Sequence, residues 1–363
     1  MKPRSVGVEE EFLLVEPGTG RPKAVAQTVL DAAGQAAGAD LAAELQQQQL
    51  ETNSRPCRTV ADLHRELRRC RAAAAAAAGR AGAQVAALGT SPVPVDTRPV
   101  RTTRYKHMAE LYGLTAHEQL TCGCHVHVSV TSPEEGVAVL DRIRPWLPPL
   151  LALSANSPFW HGHDTGYASW RQQVWGRWPS SGPTEPFESA KAYRATVEAM
   201  LGTGALLDEG MIYFDARLSR RYPTVEIRVA DVCLNADDTV LIAALVRGLV
   251  DTASRAWQAG EPPDPIRTEL LRLAMWRASR SGLRGELVHP VTRRAAPVTA
   301  VLSALRDHVA AALAHSGDLE TVDELLHRVL KRGNGACAQR SVYMRNRDVT
   351  AVVSDAVHRT TAV

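Results

Sequence analysis

The sequence is poor in lysine: only five of its 42 basic residues are Lys, and the rest are Arg. Arginine and alanine are used heavily along the whole chain, which reads as compositional bias and gives no reason by itself to expect nucleic acid. The formal net charge of +3 is small for 363 residues, and no block of five like charges occurs. A polyanion-binding arm and an acidic tail are therefore not indicated. No window of 18 apolar residues is free of charge, and the alanine run from Ala72 to Ala78 is bounded by Arg71 and Arg80, so no membrane span is expected. The N-terminus lacks an apolar signal segment. Six scattered cysteines then fit reduced thiols and a cytoplasmic protein. Also missing are GxxxxGK[ST], GxGxxG after a strand, GxSxG and HExxH. A nucleotide enzyme with this sequence would have to hold phosphate through metals and a sheet.

The most informative stretch is VGVEEEFLLV at 6–15. Read as a strand, it places Gly7, Glu9, Glu11 and Leu13 on one face and Val8, Glu10, Phe12 and Leu14 on the other. Two carboxylates about 7 Å apart on one pleated face repel each other and need solvent, a proton or a cation. A hard divalent cation is the sharpest reading, and a solvated edge strand is the plain one. Two further strands share the design. Residues 120–130 align Gly123, His125, His127 and Ser129 opposite Cys124, Val126, Val128 and Val130. Residues 224–230 align Thr224, Glu226, Arg228 and Ala230 opposite Val225, Ile227 and Val229. Three such strands predict an α+β fold, in which a curved antiparallel sheet makes a funnel-shaped wet cup and helices cover its convex face.

Between these strands the pattern is coarser. Residues 44–53 read as a strand with Gln47, Gln49 and Glu51 on one face and Glu44 on the other. Helices are expected over 24–39, 59–87 with Thr59 as N-cap, 133–154 with a break at Pro148-Pro149, 239–257, 265–281, 298–315 and 318–331, and a short strand over 212–215. Residues 156–187 read as a loop holding Trp160, Trp170, Trp175 and Trp178, four of the seven tryptophans. Loops of that length are usually lids or disordered linkers, and linkers avoid tryptophan, so a substrate cover is one reading and core packing the other. Within it, Arg171, beside Trp170, is the candidate for gripping a substrate carboxylate. In RGNGACAQR at 332–340, amides beside glycine with Arg332 and Arg340 at the ends suit phosphate, although a helix cap explains Gly333 equally well. The run Cys122-Gly123-Cys124-His125-Val126-His127 is a weak zinc signal, since CxC is not the CxxC spacing of structural sites. One catalytic domain over 1–349, followed by a loosely determined tail at 350–363, is expected.

In combination, GVEEEF at 7–12, QLTCGCHVHV at 119–128, TVEIRVADV at 224–232, DTGYASWRQQVWGRWP at 164–179 and RGNGACAQR resemble the carboxylate–amine ligases of the glutamate–cysteine ligase type 2 family. The resemblance implies a glutamine-synthetase-like funnel holding ATP and two or three Mg2+ ions on acidic residues, with Mn2+ as the ion a histidine ligand would favour. By the resemblance Glu9, Glu11, Glu51, His125 and Glu226 are metal ligands, Arg228 meets the transferring phosphate, and His127 touches nucleotide or substrate. Glu44 stands where the wider superfamily has another acidic ligand, but strand alternation does not support it. Cys124 departs from the apolar residue common in the family. The implied activity joins an amino-acid carboxylate, the γ-carboxylate of glutamate, to an amine such as that of cysteine through an acyl phosphate, releasing ADP and phosphate. A homodimer is common among relatives. A phosphotransferase with the same cup is the alternative reading, and a non-catalytic metabolite-binding homologue the third; intact Glu9, Glu11, His125, Glu226 and Arg228 argue against the latter.

Overall fold

The computed structural model describes residues 3–34, 40–100 and 102–362. Among them are strands β1 (Val6–Val15), β2 (Asp40–Ala43), β3 (Gln49–Asn53), β4 (Gln84–Ala86), β5 (Gly123–Ser129), β6 (Phe159–Trp160), β7 (His163–Asp164), β8 (Ala216–Leu218) and β9 (Thr224–Asp231). Seven of these form one sheet in the order β2-β3-β1-β5-β9-β8, with β4 on the C-terminal end of β1. Every pairing in it is antiparallel.

The alternation read from sequence sets the two faces. Val8 lies opposite Val126, and Val128 opposite Val225, so branched side chains meet on the back of the sheet. Helices Val60–Arg80, Leu147–Ser154 and Ala236–Gln258 cover that back. Each fully buried Val, Leu or Phe there contributes about 1.5–3 kcal/mol. Glu10, the middle of three consecutive glutamates, points into this apolar layer. Its carboxylate accepts from Arg71 Nε at 2.9 Å and Nη2 at 2.6 Å and from Thr239 Oγ1 at 2.7 Å. Arg71 also donates to the carbonyls of Cys233 and Leu234, so one buried pair ties β1 to the two long helices behind it.

A bulge in the β5–β9 ladder corrects one expectation. Cys124 pairs with Ala230 but Val126 pairs with Ile227, so Arg228 and Val229 together oppose His125. The extra residue shifts the parity of β9: Ala230 joins the apolar back, and Asp231, opposite Gly123, takes the place expected for it. Other expectations also move. Residues 44–53 are not one strand, because β2 ends at Ala43 and a turn over 44–48 precedes β3. The expected strand at 212–215 is displaced to β8. The helix expected over 24–39 is observed at Ala26–Ala33, and residues 35–39 lie outside the described part. Thr59 caps Val60–Arg80 by accepting from the Asp62 N–H, but that helix stops before β4. The four long C-terminal helices stand within a few residues of their expected bounds.

The stretch read as a long loop contains the β6–β7 hairpin and a helix, Trp170–Trp175. Trp178 packs in the core, edge-on to Tyr112, and donates Nε1–H to Gln119 Oε1 at 2.9 Å. RGNGACAQR is not a loop either. Gly333 ends one helix, and Asn334 caps the next, Gly335–Asn346, by accepting from the Cys337 N–H. A Cβ at Gly335 would stand 2.0 Å from Asn156 Oδ1, so only glycine admits this approach. The tail is a helix, Val349–Thr361, that buries Val352, Val353 and Ala356. Its Thr360 Oγ1 accepts from the Ala87 N–H at 2.8 Å.

Arg71→Ala should lower stability by about 3–5 kcal/mol, because it leaves the Glu10 carboxylate buried without its partner. Urea denaturation followed by circular dichroism checks this. The paired Glu10→Gln, Arg71→Met change should recover much of the loss.

Candidate active site

The front of the sheet carries the charged residues, and register brings them face to face. Glu11 lies opposite Glu51, Glu9 opposite His125, and both His127 and Arg217 opposite Glu226. They line a cavity of about 530 Å³. Above the floor stand Arg104 and Tyr105 from helix Thr103–Tyr112, Trp175, and the turn joining β8 to β9.

Two groups of candidate cation ligands lie within this cavity. In the first, ligand atoms of Glu9, His127 and Glu226 lie within 4.8 Å of one another; in the second, those of Glu11, Glu44 and Glu51 do. Glu44 therefore belongs to the cup. Strand alternation failed to place it because it sits in the turn after β2, where parity along β3 does not apply. His127 stands in the first group, opposite Glu226, and His125 between the two, with Nδ1 3.3 Å from Glu9 Oε2 and Nε2 3.8 Å from Glu11 Oε1. The first group combines Glu and His, and the second is Glu alone. The thiols of Cys122 and Cys124 are buried, and burial pushes both far above their usual range.

The electrostatics of the two groups differ. Burial pushes Glu9 up, but bonds from His125 and His127 outweigh it and hold the carboxyl well below the usual range. Burial also pushes Glu226 up, yet the charges of Arg228 and Arg217 bring it to about 2. Arg217 grips Glu226 with Nε at 2.8 Å and Nη2 at 3.1 Å, and Arg228 Nη1 contacts the same carboxylate. In the second group no Lys or Arg among the described residues forms an ion pair with the carboxylates. Burial and the Glu9 charge raise Glu51 to about 7, and burial with the charges of Glu51 and Glu11 raises Glu44 well above the usual range. This is a site short of positive charge, with hard oxygen donors converging from three chain segments. His127 Nε2 lies 3.2 Å from Glu9 Oε1, and His125 Nε2 is buried without a hydrogen-bond partner. Such a donor set fits Mg2+ or Mn2+.

Several expected site residues lie elsewhere. Arg171 does not line the cavity. It is 1% exposed and packs against Gly123 on the same side of the sheet as His125, where a Cβ would stand 2.3 Å from its Nη2, and its Nε and Nη1 are buried without a hydrogen-bond partner. Its guanidinium lies 5.6 Å from the Trp175 ring centre, and Arg228 lies 5.7 Å from the same ring. Trp170 rests edge-on against Tyr167, outside the cup. Arg332 is paired with Asp238, and Arg340 grips Asp164 and the Tyr167 carbonyl, both away from the cavity. Trp175, from the stretch read as a substrate cover, does line it, as do Arg217 and the β8–β9 turn, which sequence reading passed over. For Arg217 the signal was present: two residues into a strand pairing with β9, it had to face Glu226.

The model of glutamate–cysteine ligase family 2 matches residues 5–359. The chain belongs to this family. A protein of Streptomyces avermitilis named as a candidate glutamate–cysteine ligase 2-1 is 55% identical over 359 residues, covering 98% of this chain and 99% of that one. Its counterpart in Streptomyces coelicolor is 54% identical over 361 residues, covering 99% of each. Among solved structures, glutamate–cysteine ligase of Francisella tularensis, in complex with AMP, matches with a TM-score of 0.66 at 12% identity, over 100% of this chain and 90% of that one. A bifunctional glutathione synthetase of Pasteurella multocida matches with a TM-score of 0.69 at 14% identity over 99% of this chain, which spans 52% of that protein. At those identities the likeness is one of fold. Membership of the family makes the protein a carboxylate–amine ligase by class.

The raised carboxyls predict a pH dependence without added cation. A carboxyl whose folded pKa exceeds its unfolded value binds more protons when folded, so stability falls as pH rises from about 4.5 through about 7 for Glu51. His127, raised, acts in the same direction, and His125, lowered by burial and Arg228, opposes it. The contrast between wild type and Glu51→Gln isolates the carboxyl: in EDTA, the fall in Tm from pH 5 to pH 8 should be shallower in the variant. Addition of Mg2+ at pH 8 should raise the Tm of wild type more than that of the variant.

Proposed function

We propose that the protein uses ATP to join the γ-carboxylate of glutamate to an amine, cysteine or another amino compound. The observation that carries this reading is the convergence of Glu9, Glu11, Glu44, Glu51 and Glu226 with Arg228 on one concave face. Two cation sites beside a guanidinium suit an anionic phosphoryl group in transfer. Glu9, His127 and Glu226 would hold one cation, Glu11, Glu44 and Glu51 the other, and His125 bridges the two sets. Bound cations would offset the charge of the phosphates.

The remaining steps fall to the substrates and to the protein's own residues. A carboxylate oxygen attacks the γ-phosphorus and ADP leaves, giving an acyl phosphate; the amine nitrogen then attacks the acyl carbon and phosphate leaves. Arg228, held over Trp175 and against Glu226, directs a fixed cation at the phosphoryl group. Its Nε is buried without a partner, so it has donor capacity to spare. An acyl-enzyme route finds no support here, because the buried thiols near the cup are held protonated.

The test is ADP release over a matrix of amino acids and amines with Mg2+. Release should require both a carboxylate and an amine, with glutamate among the active carboxylates. Arg228→Lys keeps the charge but loses the planar fork, and should lower kcat by about 10²-fold or more with the fold intact. ADP released without any amine, alongside a stable phosphorylated product, would favour the phosphotransferase reading instead.

A further inference from the structure

The turn between β8 and β9 has no part in the chemistry above, yet Ser219, Arg220, Arg221 and Tyr222 all line the cavity. Tyr222 is 59% exposed and stands with its ring edge-on to His127 at 6.3 Å. Arg220 comes no closer than 3.9 Å to Glu209, and both are more than half exposed. Arg221 forms no ion pair among the described residues; its main-chain N–H donates to Ser219 Oγ at 3.4 Å.

Placement sets these two arginines apart from ordinary surface cations. The other arginines lining the cavity are already engaged: Arg104 grips Asp208, and Arg217 and Arg228 hold Glu226. Among the described arginines lining the cavity, those of the turn are thus the least engaged, and both are exposed. Deeper in the cup, on β9, Arg228 Nε is buried and unpartnered. From Thr224 to Arg228 the strand advances about 13 Å. The floor between is acidic and repels any anion approaching it, whereas a cationic rim attracts one and guides it inward. Guanidinium groups bind phosphate and carboxylate oxygens in a bidentate manner.

We propose that Arg220 and Arg221 form an entry clamp for the anionic oxygen group of a substrate, a phosphate or a carboxylate, whose reacting end lies at Arg228. This rests on the ligase reading of the cavity and adds a binding role that the reaction itself does not require.

The experiment uses the full chain and the double variant Arg220→Gln, Arg221→Gln, with Arg194→Gln, exposed on the helix Ala190–Gly202, as a control for lost charge. Both changed side chains are exposed, so circular dichroism should be unaltered. Isothermal titration with MgADP reads the phosphate arm, and titration with glutamate reads the carboxylate arm, each at low and moderate salt. The clamp predicts about a tenfold loss of affinity for one of the two probes, with a weaker salt dependence than wild type, and no change in the control. Loss confined to MgADP assigns the clamp to phosphate; loss confined to glutamate assigns it to carboxylate. Equal change for both probes, or no change for either, overturns the clamp. Failure of the wild type to bind MgADP at all would instead overturn the ligase reading on which the clamp rests.

Discussion

Five carboxylates share one concave face, and the repulsion among them is the constraint to which the rest of the site answers. Coulomb energy between unit charges 4 Å apart is about 4 kcal/mol at an effective dielectric of 20, so a cluster of this kind does not stay fully ionised on its own. The protein relieves it unevenly. Glu9 and Glu226 are offset by two imidazoles and two guanidinium groups. Glu11, Glu44 and Glu51 form no ion pair with Lys or Arg among the described residues, and burial with mutual crowding pushes Glu44 and Glu51 up. The asymmetry makes the second group the one that gains most from a divalent ion.

The three consecutive glutamates of β1 show how a pleat distributes such charge. Glu9 and Glu11 turn to the cup, while Glu10 turns to the core and is neutralised by Arg71. The strand is thereby fixed from behind by a buried ion pair and left open in front to ions and substrate. Buried pairs of this kind are seldom a net gain over apolar packing, but removing one partner alone leaves an uncompensated buried charge.

Much of this was legible in the sequence. A period of two is unambiguous in VGVEEEFLLV, in the His125–His127 strand and in the Glu226–Arg228 strand, because each has an apolar back to oppose its polar front. What was not legible depended on local breaks in that period. Nothing in TVEIRVAD marks the bulge opposite His125 that moves Ala230 to the back and Asp231 to the front. Glu44 was hidden because its position is set by a turn and not by a strand. Arg171 and RGNGACAQR drew functional readings from their chemistry alone. Tertiary contacts make the first a buried neighbour of Gly123 and the second a helix junction closed on Asn156. Sequence displays residue types, but it does not display where tertiary packing buries them.

In the proposed mechanism the cup activates a carboxylate by phosphorylation before the amine attacks. Glutamate with isotopically labelled γ-carboxylate oxygens tests this most directly, with mass spectrometry of the inorganic phosphate released. The account predicts one labelled oxygen in phosphate for every amide formed. Phosphate free of label while amide accumulates, or release of AMP and pyrophosphate in place of ADP, would contradict it.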